Sequence, residues 1–314
     1  MTQTKFSSTA SALVRRAFLL CALLVLFMAN AHAQTAPQRN QATAAAPAPT
    51  PALKRTTTRH EVRRFGYGGT LTIYSAPEGS ITIEAWPRSE IDLTADIEWR
   101  AHTEEELAQL AAVNNFVIDE SNIHFQLITT GTHDRKFMKH AAKKFPKKLL
   151  ALPWKIDYRL RVPAALDINL FAGKGPIRLD GVDGAIRINA DAAPTTLVMA
   201  GGDLTATIVV GPVRLRVPAR NWRGRGADVR LLTGDLTVEL PPDFNADIDA
   251  TVLRLGRVEN LHPALTPRGR TTPTDRTLNA RAGSGGPTLS FEVGDGTIKI
   301  KTITSDQTTV TSDK

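Results

Sequence analysis

The feature that most constrains this chain is a short phrase that recurs between residues 175 and 300. Gly175-Pro-Ile-Arg-Leu, Gly184-Ala-Ile-Arg-Ile, Gly202-Asp-Leu-Thr-Ala, Gly211-Pro-Val-Arg-Leu, Gly234-Asp-Leu-Thr-Val and Gly296-Thr-Ile-Lys-Ile all read glycine, spacer, apolar, polar, apolar. The intervals 175 to 184 and 202 to 211 are both 9 residues, and 184 to 202 is 18. The same alternation runs upstream, through Ile81/Ile83/Ala85, Ile91/Leu93/Ala95 and Ile156/Tyr158/Leu160/Val162. Successive side chains on a strand point to opposite faces, so each segment has one dry and one wet face. A nine-residue step is a short strand plus a tight corner, and glycine reaches positive φ there without strain. Such a pattern predicts an all-β fold, a β-solenoid of the right-handed β-helix kind, in which each turn buries its apolar face against its neighbours. The step from 211 to 234 is 23 residues, so a β-sandwich stands as the alternative. Aromatics at 6%, with 22 Gly and 19 Pro, favour short strands and many turns over a helical bundle.

The run Gly175 to Gly234, the ending Ala282-Gly283-Ser284-Gly285-Gly286-Pro287-Thr288-Leu289 with Gly294 to Ile300, and the step from Arg161-Val162-Pro163 into Asp167–Leu170 resemble the bacterial "putative adhesin" domain family. The resemblance spans about residues 65–303 and departs from the family pattern near 131–155 and 261–281. It implies a β-solenoid-like domain of secreted and envelope proteins and supplies no catalytic residues.

The N-terminus predicts export. Lys5, Arg15 and Arg16 precede the apolar run Ala17–Met28, and Ala31-His32-Ala33 offers a cleavage site after residue 33. Twelve apolar residues are short for a membrane span, so the mature chain is expected to have none. Cys21, the sole cysteine, lies within this segment, leaving no mature thiol and no disulfide or multi-cysteine metal site. Residues 34–60 read as a disordered Ala/Pro-rich linker, 61–303 as the domain and 304–314 as a disordered tail. The expected location is the periplasm or the cell surface.

The most distinctive chemistry is a basic insert. Arg135, Lys136, Lys139, Lys143, Lys144, Lys147 and Lys148 occur without an acid between Asp134 and Asp157, interleaved with Phe137, Met138, Phe145, Leu149, Leu150, Leu152 and Trp154. Cations with apolar side chains suit an anionic surface, lipid or glycan. These seven cations and Trp154 are the candidate contact residues. Pro146 argues against one continuous helix, and the plain structural reading is a solvated hairpin packed on the body. Thr103 followed by Glu106 is a capping box for a short helix over 104–113 that covers apolar surface or a sheet edge. Asn221-Trp222-Arg223-Gly224 is a turn in which Trp222 either packs or stacks a sugar.

Other chemistries lack support. The net charge of +8 is spread over 314 residues, which does not suggest nucleic-acid binding. His60, His102, His124, His133, His140 and His262 show no metal-ligand spacing, and no nucleophile elbow or phosphate loop is present. No cofactor, metal or catalytic residue is assigned. The expected function is an exported, non-enzymatic envelope or surface protein, adhesin-like, whose partners are an anionic envelope surface or another envelope protein. The alternative is a polysaccharide-active enzyme of β-helix type using a carboxylate pair such as Asp180 and Asp183.

Overall fold

The computed structural model describes residues 51–269 and 274–303. The export segment 1–33, the linker as far as residue 50 and the tail 304–314 lie outside the described residues. Among the described residues two short helices, α1 (Glu104–Val113) and α2 (Arg135–Ala141), and one 3-10 turn (Lys147–Leu149) interrupt an otherwise all-β fold. The strands form two large mixed sheets. The ten-stranded sheet runs β1 (Leu53–Arg64), β4 (Glu90–Ala101), β7 (Trp154–Pro163), β3 (Ile81–Trp86), β9 (Ile177–Asp180), β11 (Thr195–Val198), β13 (Val213–Arg216), β15 (Leu236–Leu240), β21 (Ile298–Thr302) and β17 (Val258–Leu261). The eleven-stranded sheet runs β18 (Leu265–Pro267), β19 (Thr277–Ala282), β16 (Ala246–Leu255), β20 (Thr288–Asp295), β14 (Arg223–Thr233), β12 (Gly201–Val210), β10 (Ala185–Ala192), β8 (Asp167–Lys174), β2 (Thr70–Tyr74), β6 (His124–Thr130) and β5 (Asn115–Glu120).

From β8 to β15 the chain crosses from one sheet to the other at every strand. Each new pair of strands lies parallel on the pair before it. Ile168 pairs with Ile186 and Ile186 with Leu204, and in the facing sheet Ile177 pairs with Thr195 and Thr195 with Val213. Every one of those steps is 18 residues, so the nine-residue interval of the sequence is half a circuit. The 23-residue interval is the same circuit lengthened by the loop 217–222 and a register shift opposite Gly201–Asp203. The apolar positions therefore fall into continuous rows. Ile81, Ile177, Thr195, Val213, Leu236 and Ile298 form one, and Leu71, Ile168, Ile186, Leu204, Ala227 and Leu289 form its counterpart, all buried in a single core. Thr195 fits this row because its β-branch packs like valine while its hydroxyl donates to Ala193 O at 2.9 Å.

Spatial order departs from chain order at both ends. The pair β2–β3 lies between β6–β7 and β8–β9, and β20–β21 lies between β14–β15 and β16–β17. Antiparallel strands finish three of the four sheet edges, β4 and β1 beside β7, β5 beside β6, and β19 and β18 beside β16, while the ten-stranded sheet ends at its other edge in β17, parallel to β21. Strand β1 corrects the sequence boundary, because it begins at Leu53, inside the stretch read as linker. It is an edge strand with no fully buried residue, so its LKRTTTRHEVRR carries no apolar alternation.

The corner glycines answer a steric demand between neighbouring turns. Gly234 has φ +141, and a Cβ there would overlap the carbonyl oxygen of Gly211 in the adjacent corner; Gly296 (φ +147) stands in the same relation to Gly234. Parallel strands lie about 4.8 Å apart, and at Gly234 and Gly296 the stacked corners leave no room for a side chain, although Ala193 fits at the equivalent place in the circuit before Gly211. Replacement of Gly234 by alanine is expected to destabilise the protein by about 2 kcal/mol or more. Gly66→Ala, at a site open to about 4 Å with ordinary φ, is expected to change stability by less than about 1 kcal/mol. Urea unfolding of the two variants checks this, and equal losses would contradict the stacked-corner account.

Candidate functional site

The polar faces of the sheets are rich in arginine, yet most of that charge is closed on neighbouring carboxylates. On the ten-stranded sheet Arg159 meets Asp96 at 2.6 Å, Arg178 meets Asp180 at 2.8 Å, and Arg161 pairs with Asp92. Glu239, almost fully buried, receives Arg214 at 2.6 Å and Lys301 at 3.2 Å. Elsewhere Arg223 holds Asp183 and Arg225 holds Asp203, both at 2.6 Å, while Arg268 and Arg281 each meet Asp247 at 2.8 Å. Asp180 and Asp183 are thus each engaged by an arginine rather than set against one another. Trp222 is buried with its Nε1 donating to Gly202 O at 3.1 Å, so it packs and offers no stacking face.

The basic insert, between β6 and β7, differs. It is a helix, a turn and a 3-10 turn rather than a hairpin. Asp134 starts α2 by accepting from Lys136 N at 2.8 Å and Phe137 N at 3.1 Å. The helix ends with Ala142 N–H donating to Met138 O, ahead of Pro146. Both roots are pinned. Asn114, fully buried, accepts from Thr132 N at 2.8 Å, and Trp154 Nε1 donates to Thr132 Oγ1 at 2.9 Å. Lys148 ties the segment to α1 through Glu106 at 2.9 Å. The capping box of α1 forms in modified shape: Thr103 accepts from Glu106 N, but Glu106 reaches back to His102 N rather than to Thr103. Leu107 and Leu110 on its inner face are buried against the ten-stranded sheet, beside β4 and β1.

Arg135, Lys136, Lys139, Lys143, Lys144, Lys147 and Lys148 are all exposed. Among the described residues only Lys148 of these seven has a carboxylate within 4 Å. Trp154 leaves the candidate set: it is 8% exposed and opens the inward-facing series Trp154, Ile156, Tyr158 of β7. Sequence reasoning missed an apolar hollow in the insert. Met138, Phe145 and Leu150 line an open cleft of about 630 Å³ whose margin carries Arg135, Lys139, Lys143 and Lys147. The i, i+4 spacing of those four cations was visible in the sequence; the hollow beside them depends on the turn at Ala142–Phe145. His133 also borders the cleft, exposed as a whole but with one face tilted against Trp154 at 5.5 Å, and loss of water from that face holds its imidazole below the usual 6.5 against the opposing charge of Asp134. Among the described residues no group of three or more His, Cys, Asp or Glu is placed to hold a metal ion, and no helix is long and apolar enough to cross a membrane.

No family model and no curated protein matches this chain. Solved structures similar to it include a "putative cell adhesion protein" from Clostridium sporogenes, at 11% identity and TM-score 0.41 over 79% of this chain and 100% of that one. A "putative adhesin" from Bacteroides fragilis gives 11% identity and TM-score 0.26 over 79% and 97% of the two chains. A "putative lipid binding protein" from Parabacteroides distasonis gives 11% and 0.21 over the same shares.

The carboxylates that close the arginine rows predict the acid response. Burial alone would raise Glu239 and Asp92, but hydrogen bonds from Arg214 and Lys301 to the first, and from Arg161 and His60 to the second, hold them below their ordinary values of 4.5 and 3.8. The unfolded chain then takes up protons at higher pH than the folded one, so this stability is complete above about pH 4.5 and is lost as pH falls through the lowered values. His133, also lowered, adds a shallow decline that begins below about 6.5. Tm measured from pH 7 to pH 3 is expected to fall gently at first and steeply below about 4.5, with Glu239→Gln flattening the steep limb. A Tm that holds steady to pH 3 would contradict the pairing.

Proposed function

We propose that this chain is a non-enzymatic scaffold of the cell envelope that holds a basic insert against an anionic lipid surface. The reading is supported first by one observation: among the described residues six exposed cations of the insert lack a carboxylate within 4 Å, while most arginines on the sheets are paired, either with an adjacent strand or two residues along their own. Exposed cations near an anionic bilayer contribute roughly 1 kcal/mol each before screening and ordering costs. Met138, Phe145 and Leu150 beside them favour lipid over glycan, since the flexible aliphatic side chains of Met138 and Leu150 match an acyl chain and give a polysaccharide no flat face to stack on. The pinned roots at Asn114, Thr132 and Trp154 present the insert as a defined shape rather than a loose loop.

In this reading the stacked strand pairs are a β-solenoid-like support. Their apolar rows make the body stiff, and the antiparallel strands at both ends blunt the stacking of one copy on another. The export signal expected in residues 1–33 delivers the protein to the envelope, and the Ala/Pro-rich stretch after it serves as a tether.

Sedimentation with mixed phosphatidylglycerol–phosphatidylcholine vesicles tests the reading. Wild-type protein is expected to be retained at low salt and released as ionic strength rises past about 0.5 M. The quadruple variant Arg135→Gln, Lys139→Gln, Lys143→Gln, Lys147→Gln is expected to lose retention, and Arg225→Gln, whose arginine is paired with Asp203, to keep it. Retention that ignores salt and the quadruple change would reject the insert as the contact, as would binding to heparin with none to vesicles.

A further inference from the structure

A membrane-facing patch needs charge and some apolar surface, but it does not need a concavity. The insert has one. The cleft between α2 and the 3-10 turn, about 630 Å³, falls within the size of small-molecule sites, roughly 300–1,000 Å³. Its apolar lining is Met138, Phe145 and Leu150; Phe145 is partly buried against the core, whereas Leu150 is 45% exposed. Leucine left this open at a cleft wall is covered only when something else fills the space.

The margin decides what that occupant is. Arg135, Lys139, Lys143 and Lys147 stand around the apolar lining, and among the described residues none has a carboxylate within 4 Å. A neutral apolar molecule would leave four cations crowded about a dry hollow. A hydrophilic polyanion would leave Met138, Phe145 and Leu150 uncovered. Both surfaces are satisfied by one molecule with an anionic head and a single alkyl chain. Two chains would demand a hollow closed on more sides than this one, which is open to solvent along its length.

We propose that the cleft seats the acyl chain of an anionic lysophospholipid, with its phosphate among the lysines and arginine of the margin. The inference rests on the reading of the insert as the lipid-facing element and goes further by naming a discrete ligand with one site per chain.

Titration calorimetry of the full chain with lauroyl lysophosphatidylglycerol, kept below its micelle concentration, tests this directly. The expected result is saturable one-to-one binding, with lauroyl lysophosphatidylcholine weaker by about tenfold or more. Leu150→Gln and Met138→Gln, changes at solvent-accessible positions, are each expected to weaken the anionic ligand by about tenfold, whereas Arg225→Gln, outside the insert and paired with Asp203, is expected to leave its affinity unchanged. Loss of vesicle binding in wild type would remove the surface reading and this one with it. Vesicle binding without saturable lysophosphatidylglycerol binding overturns the seat alone. Equal affinity for the two lysolipids, or no effect of either cleft variant, also overturns it.

Discussion

Everything in this fold depends on parallel strands stacking in register, so that like meets like from one circuit to the next. At the spacing of paired strands, about 4.8 Å, a residue's nearest neighbours across the sheet are its counterparts in the circuits above and below. An aliphatic residue at one such position makes aliphatic residues favourable along the whole row, which is how Ile81, Ile177, Val213, Leu236 and Ile298 come to share a line. The same spacing acts in reverse at the corners, where Gly211, Gly234 and Gly296 follow one another because a Cβ on any later one strikes the backbone of the one before.

Charge on the outer faces obeys the same arithmetic. Arginines sit within reach of carboxylates on adjacent strands or two residues along, as Arg214 does with Glu239 and Arg178 with Asp180. Exposed pairs of this kind contribute little stability individually; their consequence here is that the sheet faces are close to neutral locally. The insert lies between β6 and β7 and outside both sheets, where no strand stacks on it, and among the described residues six of its seven cations have no carboxylate within 4 Å. On the sheets Arg187 and Arg216 are also without such a partner among the described residues, but singly, whereas the insert gathers six such cations in one short segment.

Much of the fold was legible in the residues. The alternation located β3, β7, β9, β10, β13, β15 and β21, and Thr103 with Glu106 marked α1. The helix's reach-back to His102 was not legible, since neighbouring amides compete for one carboxylate. Nor was β1, because an edge strand buries too little to impose a pattern. The lodging of β20–β21 between β14–β15 and β16–β17 joins Ala227 to Leu289 across 62 residues, and nothing local specifies so distant a partner. Trp154 was misplaced for a reason present in the sequence. Extending the Ile156/Tyr158 alternation back by two residues puts its side chain inward, whereas composition alone grouped it with the cations. The cleft was hidden for the opposite reason, since it exists only once the chain turns between Ala142 and Phe145 and brings Leu150 toward Met138.

Residue-resolved amide hydrogen exchange, with and without phosphatidylglycerol vesicles, reaches the central claim in one experiment. The account predicts slow exchange throughout β8–β15 that vesicles leave unchanged, together with vesicle-dependent slowing confined to residues 133–150. Protection spread over the arginine-bearing face of the ten-stranded sheet, with the insert unaffected, would contradict it.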